Sequence, residues 1–243
     1  MEGASFEIEH GGEASETLVV GVSEFGLAGL TAVDYLVETL GLEKTGHVTT
    51  DDLPSITPFE DGRPRHHTRF FSSDEVDFTV LVGEMFVPLD AARSFSDAMT
   101  GWMAENDVSE IVFLSGIVGP HGPDQHDVFY VATDDYRNRI EDSFEAMGGG
   151  FFEGVHAELL ARGIDTSVAV GVLATPVHPP AQDVDAAVRL IDAFDRVYGV
   201  EVDTEPLEEY ARNLQQHYEQ LSDRMRKMEE ESRRRVTEDR AYM

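Results

Sequence analysis

Short unbroken apolar runs alternate along this chain with longer stretches in which apolar residues recur at helical spacing. Thr17 to Val22 (TLVVGV), Phe78 to Gly83 (FTVLVG), Glu110 to Val118 (EIVFLSGIV) and Thr166 to Leu173 (TSVAVGVL) are too short for helices and apolar at nearly every position. That is the signature of strands buried on both faces. His47 to Thr50, Arg69 to Ser72 and Val128 to Ala132 are weaker strands. Leu30 through Leu40, Pro88 through Asn106, Asp134 through Met147, Phe151 through Arg162 and Asp183 through Tyr198 carry helical patterns. Strand and helix in alternation predict a three-layer α/β/α domain over 15–203, behind a disordered N-terminus, 1–14.

The pattern changes at residue 204. Leu207, Leu214, Leu221 and Met228 recur every seventh residue, with Tyr210 and His217 three after the first two. This heptad spacing predicts a C-terminal helix over 204–238 with an apolar packing seam, a coiled-coil tail, and then a flexible terminus, 239–243. At ~1.5 Å per residue the helix is roughly 50 Å long. The seam pairs with another tail or folds back on the body; the spacing alone fits both.

Composition sharpens the contrast between the two parts. The 243 residues are 41% apolar and carry a formal charge of −30. From residue 205 on there are 10 Asp/Glu against 8 Lys/Arg, while the residues before it hold 38 against 10. Such an acidic body repels phosphate, so nucleic acid and anionic membrane are not expected partners. Arginine outnumbers lysine heavily, with only Lys44 and Lys227 present, a composition like that of a halophile whose hydrated acidic surfaces keep proteins in solution. There are no cysteines, which removes thiol catalysis, disulfides and cysteinyl metal sites. Neither a signal peptide nor an apolar run of membrane-spanning length is apparent, and a cytoplasmic location is expected.

Candidate chemistry is sparse. Gly21, Gly26 and Gly29 lie at a strand-to-helix turn, but the spacing is not GxGxxG, and Glu24 sits where a phosphate would. These glycines are expected to let the helix pack closely on the strand. Gly62 to Thr68 is the only basic patch of the body. The loop HGPDQHD places His121, Asp124, His126 and Asp127 after a strand's carboxyl end, ligand types for a metal; without a helix to fix their spacing, a solvated turn is expected and no metal. No catalytic residue and no cofactor are assigned. The chain ends Ala241, Tyr242, Met243, a ring, a hydroxyl and a carboxylate that together make a compact docking peg.

Three segments carry a family resemblance: GVSEFGLAGLTAVDYLV, GGGFFEGVHAELLARGI and VGVLATPVHPPAQDVDAAVRLIDAFDRVYGVEVDTEPLEEYA. Across roughly residues 15 to 215 the chain resembles the PAC2 (proteasome assembly chaperone) family as found in archaea. The resemblance implies a phosphorylase-like α/β/α fold, an oligomer of this chain or with a paralogous PAC2 protein, and promotion of proteasome α-ring assembly, expected without ATP because no nucleotide motif is found. It also implies that Ala241, Tyr242 and Met243 form the hydrophobic-Tyr-any tripeptide that inserts between α-subunits, with Ala smaller than the usual first residue. Two alternatives stand beside it. One is a small-molecule enzyme, phosphorylase-like or ATP-grasp-like, drawing on His121, Asp124 and His126 or on the turns at Phe25 to Gly29 and Gly148 to Gly150. The other is an oligomeric scaffold for a different partner.

Overall fold

The computed structural model describes residues 5–51, 53, 55–122, 125–178 and 182–210. Residues up to Asp203 form one compact unit, and the chain from Thr204 on forms a second. In the first, a nine-stranded mixed sheet runs through the molecule. Its centre is β2 (Thr17–Val22), β7 (Phe78–Gly83), β8 (Glu110–Ile117) and β11 (Ala169–Pro176), mutually parallel in the order β7-β2-β8-β11. These are the continuous apolar runs of the sequence, and nearly every residue in them is buried. Burial on both faces is what makes a parallel strand apolar throughout.

Antiparallel strands extend both edges. On one side β6 (Thr68–Ser72) forms a hairpin with β7, followed outward by β3 (Glu43–Thr49) and β1 (Glu7–His10). On the other, β9 (Phe129–Ala132) runs antiparallel to β11 and carries the two-residue β10 (Glu145–Ala146). A separate two-stranded ribbon joins β4 (Phe59–Glu60) and β5 (Arg63–Pro64).

The helices lie on two faces. α1 (Ala28–Thr39) packs on α5 (Val184–Tyr198) over β2, β8 and β11, while α2 (Ala92–Glu105) packs on α4 (Gly154–Asp165) across the sheet. The α2/α4 layer closes on Leu18, Val20, Ile111 and Phe113 through Phe95, Met99, Trp102 and Leu159. The short α3 (Asp134–Ile140) covers β9 and β11. Close approach of α1 to the sheet requires glycine: a Cβ on Gly29 would lie 1.8 Å from the Leu114 carbonyl oxygen. The glycines of the first turn therefore serve packing, as expected. α5 begins at Asp183, whose carboxylate accepts the Ala186 amide at 2.9 Å, and ends at Gly199 in the left-handed region (φ 66°).

Four expectations need correction. Part of the stretch expected to be disordered is a strand: residues 7–10 pair with β3, and the His10 ring packs edge-on against Phe70 and Trp102. The helix expected over 134–147 stops at Ile140, because the Met147 amide donates to the Tyr130 carbonyl and draws 145–146 into the sheet. The helix expected over 151–162 runs instead from Gly154 to Asp165, passing through Gly163, where any Cβ would meet Val170 and Thr133. The strand that follows is shifted accordingly to 169–176. In the second unit, 205–210 is helical; Leu207 is buried and Tyr210 exposed. The rest of the seam, Leu214, His217, Leu221 and Met228, and the terminal Ala241, Tyr242 and Met243, lie outside the described residues. Among the described residues, no helix is long and apolar enough to cross a membrane.

Candidate functional site

Parallel strands of an α/β sheet present their carboxyl-end loops to ligands, and here β2, β7, β8 and β11 all end on the same rim. Two side-chain clusters form there, and both join residues that are distant in sequence.

The first is buried. Glu24, in the turn after β2, accepts a hydrogen bond from Ser115 Oγ at 2.8 Å through Oε2, and its Oε1 lies 3.1 Å from Nδ1 of His156 on α4. His156 is 4% exposed, stacked on Phe152 and tilted against Phe113. Burial pushes the Glu24 carboxyl up to about 7, despite the Ser115 hydroxyl and the Gly116 amide, and pushes the His156 imidazole down to about 4. Both shifts favour the uncharged forms, so near pH 7 the imidazole is neutral and the carboxyl is about half protonated. His156 Nε2 has no hydrogen-bond partner and no accessible surface.

The second cluster is on the surface. His121 and His126, in the loop after β8, meet His178, which follows β11. Because β8 and β11 are adjacent parallel strands, the loops leaving their ends converge. His178 Nε2 lies 3.1 Å from His121 Nε2 and 3.3 Å from His126 Nε2. Behind the cluster, the His178 ring meets Asp183 Oδ2 through Nδ1 at 2.9 Å, and its amide donates to the same oxygen at 2.8 Å. Burial alone would raise the Asp183 carboxyl, but the Ala186 amide, the His178 ring and amide, and Arg189 hold it below its usual range. Arg189 is itself fixed by Thr175 Oγ1 and the Pro176 carbonyl. An open cleft of about 410 Å³ begins at His126 and is lined by Arg189, Arg196, Asp127 and Asp192.

Of the loop residues singled out in the sequence, His121 and His126 come together, Asp127 uses its backbone carbonyl to accept from Thr175, and Asp124 lies outside the described residues. Two histidines of HGPDQHD, His121 and His126, thus meet a third, His178, that spacing did not reveal. In the basic patch Arg65 is bidentate on Glu84, a carboxylate it shares with the neighbouring Arg69 at 3.1 Å. Added Cβ atoms at Gly148 to Gly150 would meet only open space, so nothing there forms a cradle. Exposed apolar side chains, Phe25, Phe86, Leu89, Val118 and Phe151, follow the strand ends or precede α4.

The PAC2 family model matches residues 18–222. The chain belongs to the PAC2 family. As a PAC2 protein it shares its fold with Pyrococcus furiosus PbaA, an archaeal homolog of proteasome-assembly chaperone, at a TM-score of 0.78 and 17% identity over 91% of this chain and 98% of that one. P. furiosus PbaB, an archaeal proteasome activator, gives 0.77 and 18% over 91% and 100%. A PAC2 family protein from Streptomyces avermitilis gives 0.65 and 20% over 85% and 96%. No curated protein matches the chain.

Proposed function

We propose that this PAC2 protein promotes assembly of the proteasome α-ring without ATP, docking on α-subunits through Ala241, Tyr242 and Met243. The observation that carries this reading is the fold shared over nine-tenths of the chain with archaeal proteins of proteasome assembly and activation, on a chain whose sequence ends in a hydrophobic-Tyr-any tripeptide. In this reading the phosphorylase-like body forms an oligomer, with itself or a paralogous PAC2 protein, in the cytoplasm of a halophilic cell. The coiled-coil tail over 204–238 then presents several pegs at once, and linked weak contacts gain strength through effective concentration. In molar salt, charge pairs are screened within ~3 Å, so the buried Tyr242 ring carries more of the contact than the tail's arginines.

A non-enzymatic role is supported by the burial of His156, whose Nε2 presents no surface to a substrate. The rival enzymatic reading, phosphorylase-like or ATP-grasp-like, draws on His121, Asp124 and His126 or on the turns at Phe25 to Gly29 and Gly148 to Gly150. Native mass spectrometry of the full chain mixed with unassembled α-subunits separates the two. The chaperone reading expects a complex that is lost or at least tenfold weaker in Tyr242→Ala. Nucleotide turnover with no α-subunit complex would overturn it.

A further inference from the structure

We propose that His121, His126 and His178 bind one divalent transition-metal ion of the Zn²⁺ class. The argument begins with protons. Nδ1 of His178 faces a carboxylate oxygen and Nδ1 of His121 faces the Gly119 carbonyl at 2.8 Å; both partners only accept, so both Nδ1 atoms carry the hydrogen. In the neutral rings the lone pairs then sit on the two Nε2 atoms, which point at each other across 3.1 Å. Nε2 of His126 approaches the same atom of His178 at 3.3 Å. Facing lone pairs repel unless a proton or a metal ion stands between them.

The spacing fits a metal ion. Two Zn–N bonds of ~2.0–2.1 Å at a tetrahedral angle place their nitrogens ~3.3 Å apart. The ligand atoms of all three residues lie within 4.8 Å of one another, a gap that a small rotation of the exposed rings closes. The surroundings are those of an oriented ligand set. The Asp183 carboxylate behind His178 and the Gly119 carbonyl behind His121 fix the tautomers and orient the rings, as outer-shell partners do at histidine metal sites. Three imidazoles and no thiolate select Zn²⁺, Ni²⁺ or Cu²⁺ over Mg²⁺ and Ca²⁺, which require oxygen. The three nitrogens leave a fourth coordination position for water or an anion, with Arg189 and Arg196 in the adjoining cleft.

The test uses the untagged full chain, dialysed against chelator and titrated with ZnCl₂ against a chromophoric competitor, with MgCl₂ in parallel. One equivalent of Zn²⁺ and no competing Mg²⁺ is the expected result. His121→Ala, His126→Ala and His178→Ala each weaken Zn²⁺ binding at least 100-fold. Asp183→Asn, which keeps the cap of α5 but removes the carboxylate from His178, weakens it about 10–100-fold. His66→Ala, in the separate stack of His66 on His47, leaves it unchanged. Far-UV circular dichroism confirms that each variant is folded. Zn²⁺ also raises the unfolding midpoint of the wild-type chain and not that of His178→Ala. Failure of the wild type to take up one equivalent, or unchanged affinity in His178→Ala, overturns the proposal. Neither outcome bears on α-subunit capture.

Discussion

The two ends of the central strands are built on opposite terms. At the amino end, Glu110 opens β8 with its carboxylate fully used: Thr17 Oγ1 donates at 3.1 Å, Tyr198 at 2.9 Å, and Arg139 lies 3.0 Å away, while Tyr136 joins Tyr198 at 2.9 Å. Burial pushes both tyrosines well above the usual phenol range, and they stay neutral donors at any working pH. At the carboxyl end, His156 Nε2 is orphaned, three imidazoles crowd together, and phenylalanines stand in solvent. A polar network satisfied throughout serves stability; one left incomplete is where a fold has room for a ligand or partner.

The contrast can be broken most forcefully at Glu110. Glu110→Ala orphans Thr17, Tyr198 and Arg139 together, and chemical denaturation should show a loss of about 4 kcal/mol. Next in size is a pH effect at the other end. Glu24 is raised from 4.5 to about 7, so its contribution is complete below 4.5 and is lost as pH climbs through 7. His156 is lowered from 6.5 to about 4, so its contribution is complete above 6.5 and is lost as pH falls toward 4. Between 4.5 and 6.5 the two slopes oppose, because the native pair holds on Glu24 the proton that the unfolded chain holds on His156. Glu24→Gln removes only the first. Relative to wild type, its stability should swing upward by on the order of 3 kcal/mol from pH 4.5 to 7, read as unfolding midpoints across that range.

Smaller effects sharpen the comparison. Asp183→Ala removes the α5 cap and should cost about 1 kcal/mol, whereas Asp183→Asn, which can still accept the Ala186 amide, should cost a few tenths. His121→Ala in metal-free protein should stay within about 0.5 kcal/mol of wild type, since its ring makes no contribution to the core. A loss at His121 equal to that at Glu110 would erase the distinction between the two ends.

The centre of the fold was legible because β2, β7, β8 and β11 are apolar at almost every position, a pattern only double burial demands. α5 was legible through its cap residue and its apolar stripe. β1 was not: Glu7 and Glu9 alternate with half-buried Ile8 and His10, and their partners on β3 lie about forty residues away. The early end of α3 was hidden for a related reason, since it is a backbone bond between Met147 and Tyr130 that competes with the helix, and no side-chain pattern reports it. The imidazole cluster escaped because His178 is 57 residues from His121. Only the adjacency of β8 and β11 brings them together, and adjacency belongs to topology. The one local clue was His178 with Asp183 five residues on, at the end of a buried strand and the start of a helix.

The proposed function rests on the other unit, and the kinetics of ring formation address it most directly. Denatured α-subunits would be returned to molar KCl with no addition, with the full chain, or with the chain lacking residues 241–243, and α-rings followed by light scattering and electron microscopy. The account predicts that the full chain accelerates ring formation severalfold and that the shortened chain, equally folded, does not. Equal acceleration by both would contradict it.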